Sequence, residues 1–372
     1  MGYVAVKGGT NAIEASIQRL KYERLKKKEI IQVETILGTM RQLVDQVMSE
    51  ASLYDPFLAA LAIKQAEGSM EEAVFLLRAH RSTLPRLYYS QTIETEAMFV
   101  ERRISASFKD IPNGQILGAT HDYTHRLLDF HLIEETKAEL ENWLEQYKQS
   151  LEAIEPVEEL IYFPKVVDYL REEGLFPTYP INNKEPDDIT KKSLAFPASR
   201  SERLQILSRG QTGAVTALGY ASLRGYGQVH PTVGEVRVGE VPIYIAPPNE
   251  ETNDADDDYY IGDVKLTEVE SFVPVTKKKE QNEMELSFEI GYGICYGQNE
   301  TKAIAMSILD QCLENQDEPF PTHDEEFVLL HIDSVESTGF ISHLKLPHYV
   351  TFQSKLDSVR GVKKGGPERE KA

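Results

Sequence analysis

Two histidines near the end of the sequence, His343 and His348, have a residue type and a spacing that could hold a metal ion. They lie in "GFISHLKLPHYVTFQ" on either side of Pro347, and this proline prevents one continuous helix from carrying both. Two imidazoles are half of a tetrahedral zinc shell, so water, substrate or another chain would have to complete it. The alternative, two core histidines beside a turn, stays open from the sequence.

A second histidine pair lies in "HDYTHRLLDF", where His121 and His125 are four positions apart. This spacing aligns two imidazoles on one face of a helix. Zinc enzymes with such a pair carry a glutamate between the histidines, whereas this sequence has Asp122, Tyr123 and Thr124 there. The pattern therefore favours a polar cluster at a helix start over a metal site.

Basic residues concentrate in two segments of an otherwise acidic chain. The segment "SRSERLQILSRGQTG" contributes Arg200, Arg203 and Arg209 beside several hydroxyl side chains, and "RGYGQVHP" contributes Arg224 between glycines. Arginine offers a planar fork for phosphate oxygens, and glycine lets the backbone approach a ligand closely. The two segments predict an anion site, although a hairpin turn with an exposed arginine explains Arg224 equally well.

The glycines of "GYGICYGQ" lie between a predicted strand and a predicted helix, where a dinucleotide-binding fingerprint would lie. Gly291, Gly293 and Gly297 are spaced one residue too widely for G-x-G-x-x-G, and no paired acidic residue is evident. We therefore expect a glycine turn beside a packed strand instead of a nucleotide fold of that type.

The composition limits the classes of protein that this chain can belong to. It has 372 residues, enough for two domains, with 41% hydrophobic and 27% charged residues, as in a folded globular protein. Sixty acidic residues against 40 basic ones give a net charge of -20, which disfavours broad binding to nucleic acid or anionic membranes. No apolar run is long enough to span a membrane, and the start lacks a signal-peptide pattern, so we expect a cytoplasmic protein.

Cysteine is too rare for disulfide or cluster chemistry. Cys295 and Cys312 are the only two in the sequence, and an ordinary iron-sulfur cluster needs four thiolates. Any cluster chemistry associated with this protein would belong to another chain.

The elements that would position these residues predict an α+β fold. A mainly helical domain is expected over residues 1–155, a proline-rich connector or insertion over 156–190, a mixed α/β domain with short antiparallel strands over 191–360, and a flexible tail over 361–372. Helix starts are predicted at Asn11 with Glu14, at Asp55 before Pro56, and at Ser69. In the second domain, "GEVRVGEVPIYIA" predicts a strand pair, "MELSFEIGYG" a strand, and "FQSKLDSVR" a final helix.

Several long blocks of the sequence together resemble one known family. They are "YVAVKGGTNAI", "LAIKQAEGSMEEAVFLLRAHR", "ERRISASFKDIPNGQILG", "DYTHRLLDF", "RGYGQVHP" and "DEEFVLLHIDSVESTGFISHLKLPHYVTFQ". These blocks run from the first residues to about Leu356 and resemble PhnI, the I subunit of the bacterial carbon-phosphorus lyase core complex. Residues 136–190, the acidic loop near Asp256 and the tail are more individual.

The resemblance implies a role in phosphonate catabolism. With subunits G and H and the associated subunit L, the family displaces adenine from ATP with an alkylphosphonate and forms alpha-D-ribose 1-methylphosphonate 5-triphosphate. Subunit K is a further associated partner. The I subunit alone is associated with purine nucleosidase activity on ATP or GTP. Cleavage of the carbon-phosphorus bond belongs to subunit J. A homodimer of I subunits is expected at the centre of the assembly.

The resemblance also implies which residues form the sites. It places a zinc ion on the two histidines of "SHLKLPHY", His343 and His348, near the contact with subunit J.

Displacement of adenine makes the ribose ring positive and the leaving base negative, so the reaction needs a proton donor, a carboxylate near the sugar and cations for the triphosphate. The expected triphosphate ligands, with Mg as counterion, are Arg200, Arg203, Arg209 and Arg224, and the expected acid and sugar-facing carboxylate come from Asp122, His125 and Asp129. The alternative is a non-catalytic dimeric scaffold that positions subunits G, H and J.

Overall fold

The structure, a computed structural model, describes residues 9–152, 163–176, 182, 184–227, 230–247, 258–278, 284–315, 319–346 and 348–365. The acidic loop near Asp256, part of the predicted connector and the last seven residues of the tail lie outside the described residues. The helices in these ranges are α1 (Gly9–Leu25), α2 (Val33–Thr39), α3 (Arg41–Ala51), α4 (Pro56–Gln65), α5 (Met70–Arg81), α6 (Lys137–Glu152), α7 (Val166–Glu172), α8 (Arg200–Arg209), α9 (Thr212–Ala221), α10 (Glu300–Glu314), α11 (Glu325–Leu330), α12 (Ser334–Ser342) and α13 (Tyr349–Gly365).

One antiparallel sheet has the strand order β1-β2-β3-β4, with β1 at Phe99–Ile104, β2 at Thr232–Ile245, β3 at Tyr259–Lys278 and β4 at Met284–Tyr296. Together with the helices it confirms the predicted α+β class. The expectation of short strands is wrong, since β3 alone has 20 residues. The segment predicted as a strand pair is the single strand β2, because its alternating pattern continues through the glycines without a turn. The strand β1 lies in the range predicted to be helical, so the domain limits stay predictions.

The helices α2 to α5 form a compact layer with its own apolar core. Two predicted helix starts are confirmed: Asp55 accepts a hydrogen bond from the Leu58 amide at 2.9 Å, and Ser69 accepts one from the Glu72 amide at 3.5 Å. The predicted cap at Asn11 is wrong, because α1 already begins at Gly9.

The helix α10 packs across one face of the sheet and forms the main core with α8, α9 and α11. Gly291 and Gly293 lie inside β4, where an added Cβ would come within 2.1 Å of the Ser307 carbonyl oxygen and 2.0 Å of that of Ala303. The glycines therefore allow close strand-to-helix packing. An antiparallel sheet also agrees with the rejection of a dinucleotide fold.

The opposite face of the sheet carries buried charges. Glu268 accepts hydrogen bonds from Lys165 at 2.9 Å and from Arg237 at 2.6 Å, and Glu235 pairs with Arg103. Burial alone would raise the pKa of Glu268, but the charges of Lys165 and Arg237 lower it to about 2. Paired in this way, the charged groups join β1, β2, β3 and the segment before α7.

Some elements leave apolar side chains in solvent. In the structure, α1 and α6 have no buried residue, and α6 displays a stripe of Leu140, Trp143, Leu144, Tyr147 and Leu151. Among the described residues, no helix combines the length and the apolar character needed to cross a bilayer.

Candidate functional site

The predicted metal ligands lie between the last two helices. His343 follows α12 in a short 3₁₀ turn, and His348 immediately precedes α13. The Nδ1 atom of His343 is bonded to the Phe340 carbonyl oxygen, and that of His348 to the Leu346 carbonyl oxygen at 2.6 Å. Because a carbonyl only accepts, each Nδ1 carries a proton, and in the neutral imidazole each Nε2 then keeps a lone pair that can bind a metal.

The separation of the two rings fits a shared zinc ion. Their centres are 5.5 Å apart and their planes are inclined by 65°. With Zn–N bonds of about 2.0–2.1 Å and a tetrahedral angle, the centres of two zinc-bound imidazoles lie about 5 Å apart. No group of three or more histidine, cysteine or carboxylate residues that could hold a metal occurs among the described residues. The predicted pair could therefore offer a metal two ligands, with no third from the described residues.

The neighbourhood of the histidines is apolar and open to solvent. The large exposed side chains of this histidine segment are Phe340, Ile341, Leu344, Leu346, Tyr349, Val350 and Phe352. Clustered apolar exposure of this kind is typical of a surface that contacts another protein.

The three predicted catalytic residues lie in the irregular segment before α6. The carboxylate of Asp122 accepts a hydrogen bond from Arg102 at 2.6 Å and lies 3.5 Å from Arg126. Asp129 caps a short 3₁₀ turn through the His131 amide at 3.0 Å. His125 is exposed, and its side chain makes no hydrogen bond to any residue that the structure describes. Asp122 lines a cavity, and the roles of all three residues stay predictions.

That cavity has a volume of about 380 Å3 and lies between α3, residues 120–126 and the first turns of α9 and α10. Its polar lining includes Gln42, Gln46, Thr212, Gln298 and Glu300. A polar, partly open space of this size can hold a small ligand such as a sugar ring.

Arg102 and Glu300 organise the cavity, and neither is among the predicted site residues. The Arg102 guanidinium is bonded through Nε to Glu300 at 2.9 Å and through Nη2 to Asp122 at 2.6 Å, while its side chain is only 4% exposed. The sequence does contain one signal for Arg102. Successive side chains of a strand lie on opposite faces, so Arg102 and Arg103 must have different partners. Glu300 lies where a helix is predicted to follow the glycine segment, but nothing in the sequence there indicates that its partner is Arg102.

The four predicted triphosphate ligands do not converge on one surface. Arg200 makes two hydrogen bonds to Asp310, at 3.2 and 2.6 Å, and Arg203 pairs with Glu314 and Glu325. The remaining two lie elsewhere: Arg209 is 3.4 Å from Asp333, and Arg224 lies over the Tyr220 ring at 5.8 Å. Their predicted role in binding phosphate stays a prediction.

A larger depression of about 900 Å3 lies beside α11 and contains none of the predicted site residues. It is lined by Phe196, Phe320, Phe327 and several acidic residues. Its carboxylate Glu325 already pairs with Arg203. The smaller polar cavity is therefore the better candidate for ligand binding.

Known proteins resemble this chain over nearly its whole length. Residues 2–366 match the family described as "Bacterial phosphonate metabolism protein (PhnI)". A "Putative C-P lyase subunit protein HtxH" of Stutzerimonas stutzeri is 44% identical over 97% of this chain and 95% of its own length. The "Alpha-D-ribose 1-methylphosphonate 5-triphosphate synthase subunit PhnI" of Rhizobium meliloti (strain 1021) is 43% identical over 97% and 95%, and that of Escherichia coli (strain K12) 41% over 96% and 97%.

Proposed function

The chain belongs to the PhnI family, and we propose from this membership that it is a subunit of an alpha-D-ribose 1-methylphosphonate 5-triphosphate synthase within a carbon-phosphorus lyase complex. The observation that supports the assignment most directly is the match along almost the entire chain to relatives of that name. A membrane-independent role in the cytoplasm, where ATP is plentiful, accords with this assignment.

The proposed reaction is a displacement at the anomeric carbon of ATP. The bond from ribose C1 to adenine N9 breaks, its electron pair leaves with adenine, and adenine takes up a proton. A phosphonate oxygen supplies the electron pair of the new C1–O bond. The enzyme must therefore stabilise positive charge on the ring and protonate the base, while Mg accompanies the triphosphate as part of the substrate.

The histidine pair fits a zinc ion in this assignment. Both Nδ1 atoms are occupied by carbonyl oxygens, so both Nε2 atoms are available as ligands. When bound, zinc would act as a Lewis acid toward a phosphate or phosphonate oxygen. What His343 and His348 do is hold two ligand positions in place on an apolar surface that suits a partner subunit.

Partner subunits are part of the proposal. The names of the relatives refer to a subunit and to C-P lyase, and we extend this to contacts with subunits G, H and J, with associated subunits K and L, and to a homodimer of this chain. The exposed apolar residues of α1, α6 and the histidine segment give these contacts several surfaces.

A non-catalytic scaffold is the second candidate function. Two observations favour it: Arg200 and Arg203 are paired with carboxylates inside the fold, and three separate segments leave apolar side chains exposed. In this case another subunit would carry the residues that act on the nucleotide, and this chain would hold that subunit in position.

Release of adenine separates the two candidates. The complex containing this chain is mixed with ATP and methylphosphonate, and free adenine and the ribose product are measured by liquid chromatography. Adenine release from ATP by the isolated chain supports the synthase assignment, because a scaffold has no nucleotide chemistry of its own. A complex of the remaining subunits with undiminished release would establish the scaffold instead.

A further inference from the structure

We propose that the polar cavity beside Arg102 binds the ribose ring of the nucleoside triphosphate, with Glu300 as the carboxylate that faces the ring. This inference rests on the proposed function and adds two residues to it. Arg102 acts as a positioning residue that holds Glu300 and Asp122 on one wall of the cavity.

The lining suits a hydroxylated, uncharged ring. Amide side chains of Gln42, Gln46 and Gln298 and the Thr212 hydroxyl face the same space of about 380 Å3. Amides both donate and accept hydrogen bonds, as sugar hydroxyls do. The volume lies near the lower end of the range for small-molecule sites, so the cavity can accommodate a sugar ring but is small for an entire nucleoside triphosphate.

The charges of the cavity favour a ring that becomes positive. One buried guanidinium, Arg102, is shared by Glu300 and Asp122, and the exposed Arg126 lies 3.5 Å from Asp122, so the second cation offsets the charge of Asp122 and not that of Glu300. Lys302 also lines the cavity, but its buried Nζ donates to the Ser49 hydroxyl at 2.9 Å and the Ser208 carbonyl oxygen at 2.5 Å, and burial lowers the pKa of this ammonium. A fixed carboxylate stabilises positive charge that develops in the transition state, and it disfavours a phosphate in the same place.

Glu300 is the better fixed of the two carboxylates. It receives hydrogen bonds from Arg102 and from the Gln298 amide, both at 2.9 Å, and it opens α10, where the helix dipole favours a negative charge. Asp122 is 48% exposed and lies at the mouth of the cavity. The geometry thus assigns the ring-facing position to Glu300 and a position nearer solvent to Asp122.

The open side of the cavity indicates where the triphosphate of a bound nucleotide would lie. Arg126, whose side chain is 66% exposed, donates to the His121 carbonyl oxygen at 3.1 Å and lies 3.5 Å from Asp122. With the ribose inside, the phosphates would extend toward solvent past this guanidinium, where Mg and partner subunits can reach them.

The test compares Glu300→Gln with Glu141→Gln in the assembled complex. Glu141 lies on exposed α6 and pairs only loosely with Lys137, at 3.6 Å, so its replacement is a matched control. We expect Glu300→Gln to lower kcat for adenine release about 100-fold while KM for ATP changes less than about threefold, as for loss of a group that acts mainly on the transition state. Thermal midpoints are measured on all variants to identify misfolding.

A conservative series distinguishes chemistry from folding. Glu300→Asp keeps the charge and should recover part of kcat, and Arg102→Lys should lower kcat about tenfold because a lysine cannot hold both carboxylates in one plane. If Glu300→Gln turns over ATP at the wild-type rate, the inference is overturned while the proposed function stands.

If the wild-type complex releases no adenine, the proposed function is wrong and the kinetic test cannot be applied. A binding measurement then tests the cavity by itself. Hydrogen exchange is followed in peptides spanning 116–126 and 298–304, with ATP and with inorganic triphosphate. Protection by ATP that inorganic triphosphate does not give supports ribose binding in the cavity. Equal protection by both, or none by either, rejects it.

Discussion

The cavity beside Arg102 and the histidine segment between α12 and α13 differ in how much of each site this chain supplies. In the cavity, a buried arginine from β1, a carboxylate from α10 and side chains from α3 and α9 meet through contacts within the chain. In the histidine segment, His343 and His348 are oriented by carbonyl oxygens only two or three residues away.

This difference indicates which of the two regions needs a partner subunit to complete its geometry. The cavity has its charges satisfied before any partner binds, so its geometry is fixed by folding. If the histidine segment binds zinc as proposed, it supplies half of a metal shell on an apolar surface, and the other half has to come from outside the part of the chain that the structure describes. One region should therefore respond to mutation through the free energy of unfolding, and the other through assembly.

Arg102→Ala should give the largest change in stability. It leaves Glu300, whose side chain is 18% exposed, without its guanidinium, and it separates β1 from α10. Removing one partner from a mostly buried ion pair typically costs about 3 kcal/mol. Chemical denaturation of the isolated chain measures this, with Arg126→Ala as the exposed control, for which a loss below about 0.5 kcal/mol is expected. Equal losses in the two variants would contradict the comparison.

Glu270→Gln should give an intermediate, pH-dependent change on the opposite face of the sheet. Burial raises the pKa of Glu270 to about 7, and its Oε2 atom has no hydrogen-bond partner among the described residues. A raised carboxyl pKa contributes stability that is complete below the unfolded value near 4.5 and is lost as pH rises through about 7.

Between pH 5 and 8 the wild-type chain should therefore lose about 2 kcal/mol more than Glu270→Gln, which carries no titrating group there. Denaturation curves at pH 5, 6, 7 and 8 test this. Glu268 is the internal comparison, since its pKa of about 2 leaves it ionised throughout this range. Parallel pH profiles for wild type and Glu270→Gln would show that Glu270 ionises without cost.

The double substitution His343→Ala with His348→Ala should give the smallest change in the isolated chain. Both rings contact neighbouring carbonyl oxygens near the surface, so we expect a loss below about 0.5 kcal/mol. The same denaturation experiment applies. A loss comparable to that of Arg102→Ala would mean that the histidines are part of the core and would remove the distinction between the two regions.

Local signals in the sequence predict local structure well in this protein. The caps at Asp55 and Ser69, the strand that contains Phe288 and the final helix follow from residues close together in the chain. The histidine pair is also local, since its residues are five positions apart.

What the sequence could not predict depends on distant partners. Arg102 and Glu300 are 198 positions apart, and nothing in either segment identifies the other. Arg200 and Arg203 gave a clear basic signal, yet their carboxylate partners lie on α10 and α11 and became evident only from the fold. The strand β1 was missed because its six residues include two adjacent arginines, which the sheet buries on opposite faces with different acidic partners.

Zinc binding by the isolated chain and by the assembled complex tests the central distinction most directly. Each sample is equilibrated with limiting zinc and a competing chelator, and bound zinc is measured by elemental analysis, beside the His343→Ala and His348→Ala double variant. We expect weak binding to the isolated chain, tight binding in the complex and none above background in the double-variant complex. Equally tight binding by the isolated chain, or unchanged zinc in the double-variant complex, would contradict it.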